Sequence, residues 1–367
     1  MKLIKSHTKM LSLIITFVLL VSCGTEPKFN DNHINPNIIK LIDCCNTNDE
    51  AYVYGNFYLG IKTAEDLTAT GPISSFSFDS DFKLDSKQEL WRDIIENFEN
   101  PFGTGFYFAI SNSEEKLLFV KSEFGDASIG ALYEYNLLSR ELSLIQDSSY
   151  NISTAVYWHG DDNRLIYYSY GNNDSLQAGY YLYDKTTSES VGDSLLLSHR
   201  SPMGSFEMLN GFDLSPDNRK LLIPDVKATP FEALPPQIVE YDLQTRQADT
   251  LDVHFDLSFV RIGLWLRYSP DGGRILYSNF PFGSFTPTTN DDSEVGIIDV
   301  ATGQKRVLDV NTLAGGSRRS VQVAPTWTPD GQHIIYGSAP FFLHPHGDIG
   351  FYSLYVLKNV DDPQNYK

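Results

Sequence analysis

Five times along this chain a polar turn block is followed by a short, strongly apolar run. The blocks are Ile110-Ser111-Asn112-Ser113-Glu114, Trp158-His159-Gly160-Asp161-Asp162, Leu214-Ser215-Pro216-Asp217-Asn218, Tyr268-Ser269-Pro270-Asp271-Gly272 and Trp327-Thr328-Pro329-Asp330-Gly331. The runs after them span 117–120, 165–168, 221–223, 275–277 and 334–336. Near-continuous apolar runs of this length predict strands covered on both faces. Residues 155–158, 211–214, 264–268 and 324–327, ahead of the clear blocks, predict an inner strand. The block between them is a tight turn, because proline presets φ and glycine or asparagine accepts a positive φ. A third strand is predicted at 132–135, 181–184, 238–242, 296–299 and 353–356. Hairpin residues such as 243–246 and 301–304 lead to a polar, alternating fourth strand, as at 305–309.

Counted from Ser111 through His159, Ser215, Ser269 and Thr328, the spacings are 48, 56, 54 and 59 residues, the period of a four-stranded unit with its loops. One such unit cannot cover both faces of its own sheet, so successive units must stack. Ser-Pro-Asp-Gly before an apolar strand, followed by Tyr241-Asp242 and Thr302-Gly303, resembles the PD40 repeat, a WD40-like unit of TolB-like six-bladed β-propellers. The resemblance covers about residues 105–367, with good copies in the third, fourth and fifth units. It implies an all-β, six-bladed β-propeller. The last copy stops at its third strand near Lys358, so its fourth strand must come from elsewhere. The aromatic run 51–59 is the expected donor, closing the ring. About 320 residues follow residue 48, and at about 54 per unit they divide into six blades, the sixth built from residues 50–84.

One segment departs from the strand pattern. Ser86-Lys87-Gln88-Glu89 reads as a capping box, and Leu90, Trp91, Ile94, Ile95 and Phe98 then share one helical face before Pro101. The expectation is one inserted helix packed on the propeller.

The N-terminus carries an address. Lys2, Lys5 and Lys9 precede an apolar run from Met10 to Val21, too short to span a bilayer, and Ser22-Cys23-Gly24 follows. Leu20-Val21-Ser22-Cys23 resembles the bacterial lipobox, which implies cleavage before Cys23 and lipid attachment to it. The expected organisation is a lipoprotein signal peptide over 1–22, a tether over 23–48 and a TolB-like propeller over 49–367, held at the cell envelope by lipid. Gly24 in place of an aspartate points to the outer membrane. Removing 1–22 takes away three lysines and no acid, leaving 25 basic and 47 acidic residues and a net charge of −22. Such a surface excludes nucleic acid as a partner. Cys44 and Cys45 are adjacent, a spacing that closes only a strained ring, so no disulfide framework is expected.

Candidate chemistry lies in the loops. No Gly-x-Ser-x-Gly elbow is present, and Asp217, Asp271 and Asp330 recur because they serve the turn. His344, His346 and Asp348 form the densest cluster of metal-type ligands, a candidate metal site and equally a surface turn. Otherwise no cofactor is expected. The connections between second and third strands, and those between units, are long and in a propeller emerge at one end, where binding usually resides. They carry Phe282, Phe285 and Phe342 together with His199, Arg200, Arg261, Arg318 and Arg319, a candidate rim for ligand binding. Arginine forks match carboxylates bidentately, though each could equally pair with a neighbouring acid and hold its loop. The expected role is a noncatalytic binding or scaffolding module for a protein or glycan partner at the long-loop face. The alternative is a propeller enzyme of the polyuronate-lyase or metal-dependent hydrolase type, with its site at the same mouth.

Overall fold

The repeat folds as four-stranded antiparallel meanders in a computed structural model. It describes residues 34–42, 49–54, 58–63, 73–78, 81–89, 104–113, 115–121, 130–171, 176–187, 194–198, 212–225, 228–229, 232–233, 237–253, 255, 262–281, 294–312, 320–340 and 353–367.

In chain order, β1 (Ile38–Ile42) precedes a meander of β2 (Asp49–Tyr54), β3 (Tyr58–Thr63), β4 (Ile73–Phe78) and β5 (Leu84–Glu89). The next sheet is β6 (Thr104–Ile110), β7 (Lys116–Lys121), β8 (Ala131–Asn136) and β9 (Leu142–Gln146). It is followed by β10 (Ile152–Trp158), β11 (Asp161–Ser169), β12 (Gly179–Asp184) and β13 (Ser194–Ser198). In the third unit β14 (Asp213–Leu214) and β15 (Lys220–Asp225) pair on, past a small ribbon of β16 (Ala228–Thr229) and β17 (Glu232–Ala233), to β18 (Gln237–Asp242) and β19 (Ala248–Leu251). Then come β20 (Ile262–Tyr268), β21 (Arg274–Pro281), β22 (Glu294–Asp299) and β23 (Lys305–Val307). The chain ends with β24 (Ser320–Trp327), β25 (Ile334–Pro340) and β26 (Ser353–Leu357). Among the described residues the helical elements are two single 3₁₀ turns, Ser148–Tyr150 and Pro363–Asn365.

The core consists of the interfaces between successive sheets, which explains the unbroken apolar runs. Side chains alternate along each second strand, so neighbouring residues serve opposite interfaces. In β11, Leu165 and Tyr167 pack back against Leu118, Val120 and Leu132. Ile166 and Tyr168 pack forward against Phe212, Leu214, Leu221 and Ile223. In β21, Ile275 and Tyr277 join Leu222 and Ile238 behind, while Leu276 joins Trp327, Ile334 and Tyr336 ahead. Each such side chain contributes about 1.5–3 kcal/mol on full burial. Four interfaces of this kind link five sheets in sequence, and the architecture is an all-β propeller. Five blades thus have described cores, against the six that the length divides into. The sheet β2–β5 is described by its backbone: β2 runs beside β24, β25 and β26 and also beside β6.

The structure corrects two sequence expectations. The strand that completes the last blade is β1, paired with β26 (Ile38↔Leu357, Ile39↔Val356, Lys40↔Tyr355), whereas the described residues of run 51–59, 51–54 and 58–59, lie in β2 and β3 of a separate sheet. β1 lies within 23–48, the segment assigned to the tether. Second, the expected inserted helix does not begin at Ser86. Ser86, Lys87, Gln88 and Glu89 sit in β5, paired with Ser77, Phe76, Ser75 and Ser74, and a paired strand cannot supply the helical backbone that a capping box requires. Residues 90–98 lie outside the described residues.

What holds β1 in the last blade is polar as well as apolar. Asn365 is fully buried; its Nδ2 donates to the Lys358 and Asn359 carbonyls at 2.9 and 2.6 Å, and its Oδ1 accepts from Nδ2 of Asn35 and of Asn37 at 2.9 and 3.0 Å. Asn35 also donates to the Asp309 carbonyl at 3.2 Å, and Asn37 to Asp362 at 3.1 Å. Residues 35–37 are therefore tied to residues 362–365 and to the preceding blade, where Leu308 bridges Tyr366.

Candidate functional site

Strand direction sorts the loops into two ends. The block turns lie between β6 and β7, β10 and β11, β14 and β15, β20 and β21, and β24 and β25, all at one end. At the other, Ile262 pairs with Pro281, Ser320 with Pro340 and Gly179 with Ser198. The candidate rim residues His199, Arg200, Arg261, Arg318, Arg319, Phe282, Phe285 and Phe342 all lie outside the described residues. So do His344, His346, Asp348 and Cys23. In sequence four of the rim residues adjoin those far strand ends: His199 follows Ser198, Arg261 precedes Ile262, Arg319 precedes Ser320 and Phe282 follows Pro281.

At the block-turn end the recurring aspartates are committed to the fold. The Ser215 hydroxyl donates to Asp217 at 2.7 Å, and the Arg219 N–H reaches the same carboxylate at 3.1 Å. Ser269 and the Gly273 N–H repeat this on Asp271, and Thr328 and the Gln332 N–H on Asp330. The serine hydroxyl bonds hold Asp217 and Asp271 below the usual carboxylate range. Asn218, Gly272 and Gly331 take the positive φ that closes each turn. Side chains also stitch turn to turn: Asn218 exchanges two 2.8 Å bonds with the His159 backbone, and Asn112 does the same for Trp158 and Gly160.

Sequence reading missed one polar cluster. Asp213, on β14, accepts the Tyr268 N–H at 2.8 Å and feels the charges of Arg267 and His159. Burial pushes its carboxyl up toward the neutral form, against the pull of Arg267 and His159. Arg267 stacks on Trp265 with 4.3 Å to the ring centroid and donates to the Phe212 and Leu266 carbonyls at 3.1 and 2.9 Å. The His159 Nε2 lies 2.9 Å from the Leu214 carbonyl. Beside it the Tyr268 hydroxyl donates to Glu240 at 2.6 Å, and Lys220 pairs with the same carboxylate at 2.8 Å. The arrangement couples the second, third and fourth blades electrostatically. The signal was in the sequence: Asp213 and Arg267 stand at the same place in adjacent repeats, two residues before the block serine, as complementary charges. Among the described residues no group of three or more His, Cys, Asp or Glu is placed to hold a metal ion.

His333 links the last block turn to the segment after β26. Its Nδ1 accepts the Asn359 N–H at 2.9 Å, and its ring meets Phe82 edge-on at 5.0 Å, with Lys358 over the far ring at 5.6 Å. Burial, and secondarily Lys358, hold its pKa below the ordinary histidine value, against the pull of Asp330. With the folded pKa depressed, this contribution to stability is complete above about pH 6.5 and is lost as pH falls through the folded value. The melting temperature is expected to decline from pH 6.5 downward, and His333→Gln to flatten that decline. Parallel pH profiles for the two proteins would remove the role.

No protein-family model matches the chain, and no curated protein matches it. Among solved structures, it is similar to an oligogalacturonate lyase from Vibrio parahaemolyticus, with a TM-score of 0.50 and 12% identity over 89% of this chain and 95% of that one. It also matches a putative TolB from Agrobacterium tumefaciens at a TM-score of 0.45 and 14% identity, over 69% of this chain and 74% of that one. TolB from Acinetobacter baumannii matches at a TM-score of 0.33 and 12% identity, over 85% and 78%. At 12% identity the likeness to the lyase is one of fold alone.

Proposed function

We propose that this chain is a six-bladed, TolB-like β-propeller, anchored by lipid on Cys23 in the cell envelope at the outer membrane, that binds a protein or glycan partner without catalysis at its long-loop end. The observation that carries the reading is the division of labour between the two ends. The short block turns spend their carboxylates and amides on holding the blades, while the long connections stand on strand ends fixed by those blades and carry the arginines and phenylalanines. Loops on a rigid scaffold are where recognition is built.

The sheet β2–β5 is the sixth blade in this reading. Its first strand runs between the last blade and β6, and Phe82, in its β4–β5 turn, packs on His333 of the last blade's block turn.

The test replaces Arg200, Arg261 and Arg319 together with Gln and compares binding on a panel of acidic glycans, oligogalacturonate included, alongside melting curves. A binding rim predicts at least tenfold weaker binding with melting temperature held, since exposed substitutions usually cost within about 0.5 kcal/mol each. Unchanged binding with a lowered melting temperature would make the arginines loop clamps, because removing one strands its carboxylate partner. Cleavage of the oligogalacturonate by the wild type would replace the binding module with an enzyme.

A further inference from the structure

We propose that the bilayer lies at the block-turn end of the propeller, so that the long-loop end faces away from the membrane; this rests on lipid attachment at Cys23. The tether enters the fold at one end only. β1 begins at Ile38, which pairs with Leu357, and Leu357 in turn pairs with Ile334, the first strand residue after the last block turn. Just ahead of Ile38, Asn35 is held by Asn365 and the Asp309 carbonyl. The segment leading to Asn365 is itself fixed to the block turns: the Asn359 N–H to His333, the Val360 N–H to the Gln332 carbonyl at 2.8 Å, and Asp361 to Arg274 at 3.0 Å. Asn35 therefore sits beside those turns, and the segment from Cys23 joins the described fold there.

Eleven residues, 24–34, separate Cys23 from Asn35. Fully extended they span at most about 40 Å, and as a coil roughly 20 Å. An eight-residue strand such as β24 or β21 sets the thickness between the two ends at about 25 Å. Turning the long-loop end to the bilayer would draw the tether across that thickness and use most of its reach. A net charge of −22 also opposes adsorption to an anionic leaflet, which leaves the tether to set the orientation. A partner arriving from beyond the membrane then meets the long-loop end first.

The test is energy transfer to a rhodamine-labelled lipid in phosphatidylcholine vesicles. A clickable residue carries the donor dye either at Ala301, exposed in the β22–β23 turn of the block-turn end, or at Gln237, exposed where β18 begins at the other end. Two preparations are compared: the full-length protein lipidated in cells, and the chain from Cys23 with Cys44→Ser and Cys45→Ser, coupled through its one remaining thiol to a maleimide lipid. Transfer from position 301 is expected to be at least twice that from 237 in both. Equal or reversed transfer in the coupled preparation overturns the orientation. If the coupled preparation gives the expected ratio but the cell-derived protein does not float with vesicles, or fatty-acid labelling survives Cys23→Ser, lipid attachment at Cys23 fails, and the orientation in the cell falls with it.

Discussion

A chain that begins at Asp49 is expected to melt roughly 10 °C below one that begins at Ile34. The shorter chain lacks β1, so β26 becomes the open edge of the last blade and its outward N–H and C=O groups lose the ladder with Ile38, Ile39 and Lys40. Ile38 also leaves the cluster it shares with Trp327, Tyr336 and Leu357. Asn35 and Asn37 go with it, and the Asn365 Oδ1, fully buried, loses both donors. A stranded buried acceptor costs about 1–3 kcal/mol, and partly covered isoleucine side chains contribute on the order of 1 kcal/mol each. Together with the lost ladder the sum is about 5 kcal/mol, and a chain of this size loses about 2 °C per kcal/mol. Asn365→Ala in the longer chain should reproduce about half of the loss, because it removes the polar knot and leaves β1 in place. Calorimetry on the three proteins decides it. Coincident melting of the two truncations would mean that β1 adds nothing to ring closure.

The same comparison shows where the sequence was and was not legible. Block turns and second strands could be placed because their pattern is local: an apolar run such as 165–168, directly after a turn block, serves two interfaces with neighbouring residues. The closing strand could not be placed the same way. Runs 38–42 and 51–59 are both apolar and both suit a strand; what selects the first is a set of partners more than 300 residues away, Asn365 and Asp362, which no local pattern announces. The helix expectation failed for a related reason. Ser86 and Glu89 have the spacing of a capping box, but they also alternate on the polar outer strand of a meander, and pairing with β4 takes them. For the candidate site, the rim cations and phenylalanines lie outside the described residues, while the block aspartates hold the turns as the sequence pattern implied. The Asp213–Arg267 coupling needed the repeats to be aligned against each other and read for charge, because each residue alone is an ordinary polar position in an inner strand.

Gly296→Ala is expected to cost roughly 3–4 kcal/mol, a large penalty for one methyl group. Gly296 in β22 lies directly across from Tyr277 in β21, whose ring folds over it. A Cβ at 296 would stand 2.4 Å from the Tyr277 hydroxyl, 2.5 Å from the ring carbon bearing it, and 2.6 Å from the Arg306 carbonyl on the other flank. Neither neighbour can yield cheaply. The carbonyl is backbone, held by the pairing of Ile297 with Arg306. Tyr277 is fully buried, packs edge-on against Phe255 at 5.3 Å, and donates its hydroxyl to Glu294 at 2.7 Å, a carboxylate that also receives Lys305 at 3.1 Å. Burial pushes that phenol's pKa well up, so it stays a donor at any physiological pH. Overpacking alone costs about 1–3 kcal/mol, and displacing the ring would strand a buried hydroxyl for about 1–3 more. Gly160→Ala is the control. It sits at φ 74° with nothing within 4 Å of the new methyl, so it carries backbone strain alone, of about 1 kcal/mol. Tyr277→Phe removes the clashing oxygen and should restore part of what Gly296→Ala loses, a coupling readable as non-additivity in a double-mutant cycle. Wild-type melting for Gly296→Ala would show that the Tyr277 ring does not rest on that glycine, and additive losses would show that the clash lies with the Arg306 carbonyl instead.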